Sequence, residues 1–112
     1  MSQETRIAQG MWGAIVINWE FDVGAQKLTI TLQVEEPDGS RFDHAVDFAG
    51  VKTLSFRNEI DPPWAYAELS EMYGSKLKGN LIRVEVLFWN EECTLVATCA
   101  EICVDGEEII VK

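Results

Sequence analysis

Apolar and polar side chains alternate with a period of two along most of this 112-residue sequence. In the run 27–35, for example, Leu28, Ile30 and Leu32 fall on one face and Lys27 and Thr29 on the other. This period is that of a β-strand with one buried and one solvated face, the usual pattern in antiparallel sheets. The alternation recurs in the runs 15–22 (with Ile15, Ile17, Trp19 and Phe21 on one face), 42–48, 51–57, 81–89, 93–104 and 107–112.

Turn signals separate these runs. The segment Glu36–Ser40 combines a proline, an aspartate and a glycine, each of which favours a turn for its own reason. It predicts a hairpin in which 27–35 pairs with 42–48. Asp105-Gly106 is a strong two-residue hairpin signal before the last run.

The region 58–79 allows two interpretations. Asp61 followed by Pro62 resembles a helix start, Leu69 and Met72 recur at helical spacing, and Gly74 lies where a helix often ends. A short helix near 62–73 is therefore favoured. The same residues also alternate, so a partly exposed strand is the alternative.

Seven to eight short strands with at most one short helix predict a mainly β fold, either an antiparallel β-sandwich or an open barrel. Residues 11–112 are expected to form this single β domain, and residues 1–10 an N-terminal tail. The run 93–104 is apolar on both faces, which indicates a strand that is central in its sheet or crosses from one sheet to the other.

The charge of the chain limits its partners. Nineteen acidic residues oppose nine basic ones, giving a formal net charge of −10. That field repels phosphate backbones and anionic lipid surfaces, so neither nucleic acid nor a membrane is expected as a partner, and it attracts cationic proteins. The first residues contain no secretory signal, and the cysteine count of three is odd. Both observations favour a cytoplasmic location.

Reactive groups are too few or too scattered to predict an active site. His44 is the only histidine and lies on the apolar side of its strand. Cys93 and Cys99, six residues apart along one strand, would lie roughly 20 Å apart, and Cys103 continues the same run. The carboxylate pairs Glu20/Asp22 and Asp43/Asp47 lie on faces expected to be solvated. We therefore expect no catalytic residues, no metal and no cofactor.

Tryptophan is frequent, with four residues in this short chain. Trp64 follows two prolines at an element boundary, and Trp89 precedes the acidic pair Glu91-Glu92. A tryptophan surrounded by acidic residues has the composition of a binding hot spot for a basic protein. Trp64, Trp89, Glu91 and Glu92 are therefore the candidate partner-binding residues.

A longer pattern adds a family resemblance. It consists of the run Phe48-Ala49-Gly50-Val51-Lys52-Thr53-Leu54-Ser55-Phe56, the step through Pro63-Trp64 to Glu68-Leu69-Ser70-Glu71, and the late strand Ala100-Glu101-Ile102-Cys103-Val104. These residues resemble small bacterial β proteins, some of which lie in toxin–immunity loci. The resemblance implies a cytoplasmic protein that neutralises a toxin, and the acidity would suit a basic nuclease toxin. It also implies a strand rather than a helix at Glu68–Glu71.

Three functions remain open on this basis. The first is a non-catalytic protein-binding module, of immunity type if the resemblance holds. The second is a structural protein that forms a homodimer through an edge strand or an apolar patch. The third is a small-ligand binder with polar groups that converge around His44.

Overall fold

The computed structural model of the protein describes residues 4–7, 11, 13–58, 67–88 and 93–111. These residues form ten strands and one 3-10 helix, which spans Lys78–Asn80. The strands are β1 (Glu4–Arg6), β2 (Ile15–Asp22), β3 (Lys27–Glu35), β4 (Arg41–Ala49), β5 (Thr53–Asn58), β6 (Ala67–Lys76), β7 (Ile82–Phe88), β8 (Cys93–Cys99), β9 (Glu101–Val104) and β10 (Glu107–Glu108). No helix in this part of the chain is long and apolar enough to cross a bilayer.

Every pairing between these strands is antiparallel, and the strand order is β10-β9-β4-β3-β2-β6-β7-β8-β5, with β1 beside β6. The order divides into a first sheet, β10-β9-β4-β3-β2, and a second sheet, β6-β7-β8-β5. At one margin the two sheets are joined where Ile15 and Val16 of β2 pair with β6. The predicted mainly β fold, an open sandwich or barrel of antiparallel strands, is confirmed.

The turns form as the sequence predicts. β3 pairs with β4 in one continuous register from Leu28 opposite Phe48 to Glu35 opposite Arg41. In the connecting turn, the carboxylate of Asp38 accepts from the Ser40 backbone N–H at 2.9 Å. At the β9–β10 turn, Asp105 and Gly106 both have positive φ, as a type I′ hairpin requires.

The second junction between the sheets is a bent two-stranded ribbon. β4 pairs with β9 in the first sheet, and β5, the continuation of β4, pairs with β8 in the second. The two strands of the ribbon bend together at Gly50 and Ala100. Ala49 pairs with Glu101 and Thr53 pairs with Thr98, so three residues on the Gly50 side lie opposite two on the Ala100 side. Such a bulge is the usual way for strands to turn a corner between packed sheets. The sequence predicts for 93–104 either a central strand or a crossing between sheets, and both are observed: β8 lies between β7 and β5, and the run passes into the first sheet as β9.

The expected helix near 62–73 is wrong for residues 67–73, which lie in strand β6; residues 62–66 lie outside the described part of the chain. A bulge between Leu69 and Glu71 shifts the strand by one residue. Leu69 and Met72 consequently both face the core although they are three residues apart, which imitates helical spacing. The strand at Glu68–Glu71 implied by the family resemblance is observed.

Gly74 has a packing role instead of ending a helix. A Cβ atom at this position would lie 3.1 Å from Cδ1 of Ile7 and 3.2 Å from Cγ2 of Val111. Ile7 follows β1 and Val111 follows β10, and both are buried in the core. Residues 4–7, within the segment predicted as a tail, therefore belong to the folded domain.

A second bulge, in β2, places its side chains on different faces from those that the alternation predicts. The register with β3 shifts between Val16 and Asn18, so Val16, Trp19 and Phe21 face the core, opposite Leu32, Ile30 and Leu28. Ile15 instead pairs with Gln33 on the outer face, and Ile17 is 51% exposed. The single face predicted for Ile15, Ile17, Trp19 and Phe21 is therefore split by the extra residue.

Candidate functional site

The four residues that the sequence suggests as a partner-binding site, Trp64, Trp89, Glu91 and Glu92, lie outside the described residues. Their role stays a prediction. The candidate site below is built from the outer surfaces of the two sheets, because the strand pairings determine which side chains share each surface.

The outer surface of the first sheet carries an excess of carboxylates, and we call it the acidic face. The pairings bring seven carboxylates and two cations to this side of the sheet, and most are exposed. The carboxylates are Glu20, Asp22, Glu35, Asp43, Asp47, Glu101 and Glu108, and the cations are Lys27 and Arg41. Five strands from distant parts of the sequence thus form one negatively charged surface.

Neighbouring strands hold the central carboxylates of the acidic face in place. Asp47 accepts a hydrogen bond from the Thr29 hydroxyl at 2.6 Å, and its Oδ1 lies 3.7 Å from Nζ of Lys27. Asp43 accepts from the Gln33 amide at 3.2 Å. These contacts position the carboxylates; Lys27 offsets part of the charge of Asp47, and the surface as a whole keeps an excess of acids.

Cys103 lies among the acids in the middle of this face, half-buried. Burial raises the pKa of its thiol, and so do the hydrogen bond that it donates to Glu101 and the negative charges of Glu101, Glu108 and Asp47. The direction of this shift agrees with the clustering of carboxylates inferred from the strand pairings. The thiol stays protonated near neutral pH and is a poor nucleophile.

The outer surface of the second sheet has a different composition, and we call it the balanced face. The charged residues that the strand register places on it are four acids and three bases: Glu4, Glu68, Glu71, Glu85, Arg6, Arg57 and Arg83. Arg83 lies 3.2 Å from Glu85, and the Arg6 guanidinium lies 5.8 Å from the centre of the Tyr73 ring. The rest of this surface is mainly threonine, serine and valine.

A half-exposed apolar strip runs between β2 and β5, on the margin where the two sheets meet edge to edge. The Trp19 ring lies 5.3 Å from the Phe56 ring, centre to centre, and the Phe56 ring lies 6.4 Å from that of Phe88. Phe21 of β2 and Leu54 of β5 continue the strip on the core side of their strands. We call Trp19, Phe21, Leu54 and Phe56 the aromatic seam.

His44 lies at the rim of the core face and is bound to a turn. Its Nδ1 is 2.6 Å from Oδ2 of Asp105, whose other oxygen accepts from the Ala45 backbone N–H at 2.9 Å. The His44 hydrogen bond and the Ala45 N–H both lower the pKa of Asp105. Because that carboxylate carries no proton near neutral pH, Nδ1 of His44 is the donor. The pair clamps the β9–β10 turn onto β4.

The remaining cysteines are in the core. Cys93 and Cys99 are buried on one face of β8, and burial raises the pKa of each thiol to about 11. Cys103 does not share that face, because the bend at Ala100 reverses the alternation and turns Ile102 inward instead. Among the described residues, no three His, Cys, Asp or Glu side chains are grouped to hold a metal.

The sequence contained part of the signal for the acidic face. Glu20/Asp22 and Asp43/Asp47 are placed on solvated faces by alternation alone. That β9, with Glu101, lies directly beside β4 could not be read from the sequence. This pairing depends on the corner at Gly50 and Ala100.

Neither a protein-family model nor a curated protein matches this sequence. Among solved structures, the chain is similar to the crystal structure of an uncharacterized protein from Neisseria gonorrhoeae, with a TM-score of 0.66 and 9% sequence identity. The similarity covers 92% of this chain and 97% of the other. At this identity the similarity shows a shared fold: a mainly β, open antiparallel sandwich.

Proposed function

We propose that this protein is a non-catalytic binding module whose acidic face docks a basic protein. The observation that carries the proposal is the grouping of seven carboxylates with two cations on one sheet surface, while the described charged residues of the balanced face are four acids and three bases. A surface of one sign steers an oppositely charged protein towards the complex and repels anionic competitors.

The position of these charges supports a docking surface more than a solubilising one. They project from five hydrogen-bonded strands, and Asp43 and Asp47 are held by Gln33 and Thr29. A partner therefore meets charges whose positions are set before binding, which lowers the entropy lost on association.

The family resemblance extends the proposal to the identity of the partner. If it holds, the basic partner is a toxin, and the acidic face covers the cationic surface with which that toxin binds its substrate. The three free thiols support a reducing compartment, and we infer that the protein acts in the cytoplasm.

Affinity capture with matched variants tests the binding proposal. The protein is immobilised and exposed to a lysate of cells that express it naturally. The acidic-face variant carries Asp43→Lys, Glu101→Lys and Glu108→Lys, and the control variant makes the same charge change at Glu68, Glu71 and Glu85. We expect wild type and control to retain a basic protein, the acidic-face variant to lose it, and retention to fall between about 50 and 500 mM salt.

Equal retention by all three forms, or retention that does not change with salt, would contradict the proposal. The toxin extension has its own readout, which is growth of cells that express the captured partner. Wild type and control should relieve an inhibition of growth, and the acidic-face variant should not. A harmless partner would remove the toxin extension and leave the binding proposal intact.

A further inference from the structure

The aromatic seam is an apolar surface with solvent access. Phe21 is 38% exposed and Phe56 is 43% exposed, although both lie on the core side of their strands. Two contacts bring β2 and β5 together along the seam: the Val51 N–H donates to the Gln26 carbonyl at 2.9 Å at one end, and the Trp19 and Phe56 rings lie 5.3 Å apart towards the other. Large aromatic side chains in such a strip are typical anchors of protein interfaces.

The two sides of the seam carry opposite charges. Glu20 and Asp22 project from the outer face of β2 and form an acidic lip. Lys52 directly precedes β5, and Arg57 lies on its outer face, so this side forms a basic lip. The contacts at Gln26–Val51 and Trp19–Phe56 show that β2 and β5 run antiparallel along the seam. Along the direction of the strands, Asp22 is therefore nearer to Lys52, and Glu20 is nearer to Arg57.

A surface with an acidic lip, an apolar centre and a basic lip is complementary to itself under one symmetry operation. A two-fold axis parallel to the seam places the acidic lip of each copy on the basic lip of the other. A two-fold axis perpendicular to the seam would place acid on acid. Closed two-fold dimers require such an isologous surface, in which one patch meets its own copy.

We propose that two copies of this chain dimerise through the aromatic seam, about a two-fold axis parallel to it. Glu20 and Asp22 of each copy then face Arg57 and Lys52 of the other, and Phe21 and Phe56 fill the centre. This interface is separate from the central carboxylates Asp43, Glu101 and Glu108, so it goes beyond the proposed function. The other five carboxylates of each acidic face, which are Glu35, Asp43, Asp47, Glu101 and Glu108, remain available to basic partners.

Light scattering after size exclusion tests the dimer. The buffer contains about 150 mM salt, because repulsion between the two negatively charged copies is then screened beyond roughly 8 Å. We expect the mass to rise to twice that of the chain with increasing concentration. Phe21→Ser should raise the dimer dissociation constant by about tenfold or more. Ile110→Ser, at an apolar residue that is 67% exposed away from the seam, is the matched control and should change nothing. A wild-type mass that stays that of one chain up to about 1 mM would overturn the proposal.

Charge exchange across the seam tests the axis itself. Glu20→Lys alone and Arg57→Glu alone each place like charges across both halves of the interface, and each should weaken self-association by about tenfold or more. An equimolar mixture of the two variants should recover a mixed dimer at wild-type strength, detected by a mass difference between the chains. Recovery also shows that both variants are folded, and Lys52→Glu paired with Asp22→Lys repeats the test at the other end. If the variants weaken the dimer and the mixture does not restore it, the axis is wrong.

Discussion

The two outer surfaces of the sandwich are made by the same kind of structure and carry different charges. Both are solvated faces of antiparallel sheets, and both are built from alternating strands. Among the described residues, the acidic face has seven carboxylates and two cations, whereas the balanced face has four acids and three bases. A chain that is acidic only for solubility would distribute its carboxylates over both surfaces. Among the described residues of the two sheet surfaces, the excess of negative charge is therefore concentrated on the acidic face.

The contacts of the charged side chains also differ between the two faces. On the balanced face, Arg83 lies beside Glu85, and Arg6 lies over the Tyr73 ring. On the acidic face, Asp43 and Asp47 accept hydrogen bonds from the neutral side chains of Gln33 and Thr29, and only Asp47 of these two also lies near a cation, at 3.7 Å from Nζ of Lys27. Neutral donors hold a carboxylate in position and leave its charge available to another molecule.

The largest expected effect comes from a substitution at Gly50, in the bend where the β4–β5 strand passes from the first sheet to the second. Gly50 has φ +64, and a Cβ atom there would lie 2.9 Å from Cβ of Ala100. Gly50→Ala combines a left-handed backbone with a clash against the opposite chain of the ribbon. We expect the free energy of unfolding to fall by about 2–5 kcal/mol, measured by urea denaturation.

Gly39→Ala is the matched control for this substitution. Gly39 also has a positive φ, +89, but nothing lies within 4 Å of the added Cβ. Only the backbone term remains, and the expected loss is about 1–2 kcal/mol. Equal losses at the two glycines would show that the close approach at the corner does not matter.

A smaller effect is expected from the clamp between β4 and the β9–β10 turn at the edge of the first sheet. Asp105→Asn removes an anionic acceptor for His44 and Ala45, and we expect a loss of about 1 kcal/mol at pH 7. The folded-state pKa of Asp105 is below its ordinary value of 3.8. Its carboxylate therefore stabilises the fold above that value, and the contribution disappears as pH falls through the lowered pKa.

Urea unfolding between pH 7 and pH 3 measures this dependence. The difference in stability between wild type and Asp105→Asn should be constant down to about pH 5 and should shrink below it. Glu107→Gln removes a nearby exposed negative charge and controls for the general effect of acid. A difference that persists unchanged at pH 3 would assign the effect to the turn conformation alone.

Replacing three glutamates by glutamines on each face in turn tests whether the two faces differ in charge repulsion. The triple change Glu20→Gln, Glu101→Gln and Glu108→Gln should raise the free energy of unfolding by a few tenths of a kcal/mol per residue at low salt, because an excess of one charge on a surface repels itself and destabilises the compact state. The same change at Glu68, Glu71 and Glu85 should have no effect or a small destabilising one, since it removes the ion pair between Arg83 and Glu85. Both differences should vanish in high salt; stabilisation of the two variants alike would remove the distinction between the faces.

The smallest effect concerns thiol reactivity. At pH 8 we expect slow alkylation of Cys103, which is half-buried and has a raised pKa, and slower alkylation of the buried Cys93 and Cys99, whose pKa values are about 11. Peptide mass mapping against time resolves the three sites. The Glu101→Gln variant should react faster at Cys103 because one neighbouring charge is gone. Faster labelling of Cys93 than of Cys103 in the folded protein would contradict the packing of β8.

The sequence predicted strands and turns well wherever the alternation is uninterrupted. The β3–β4 hairpin and the Asp105-Gly106 turn are examples. It failed where one extra residue shifts the phase of a strand. The bulge at Leu69/Glu71 produced a false helix, and that at Val16/Asn18 a false face, because a bulged strand places residues three apart on one side. The acidic face was only partly predictable, because its final composition depends on which strands become neighbours.

The bent ribbon also determines when these surfaces come into existence. Val46 pairs with Val104, and Asn58 with Cys93, so both sheets depend on contacts between residues far apart in sequence. Such contacts form only after the entropy of closing a long loop has been overcome, and folds dominated by them take roughly milliseconds to seconds to form. During synthesis, β2, β3 and β4 leave the ribosome long before β9 can join them. The acidic face is therefore complete only once β9 and β10 bring Glu101 and Glu108 beside β4, and the β5 side of the seam is fixed only once β8 has paired with it.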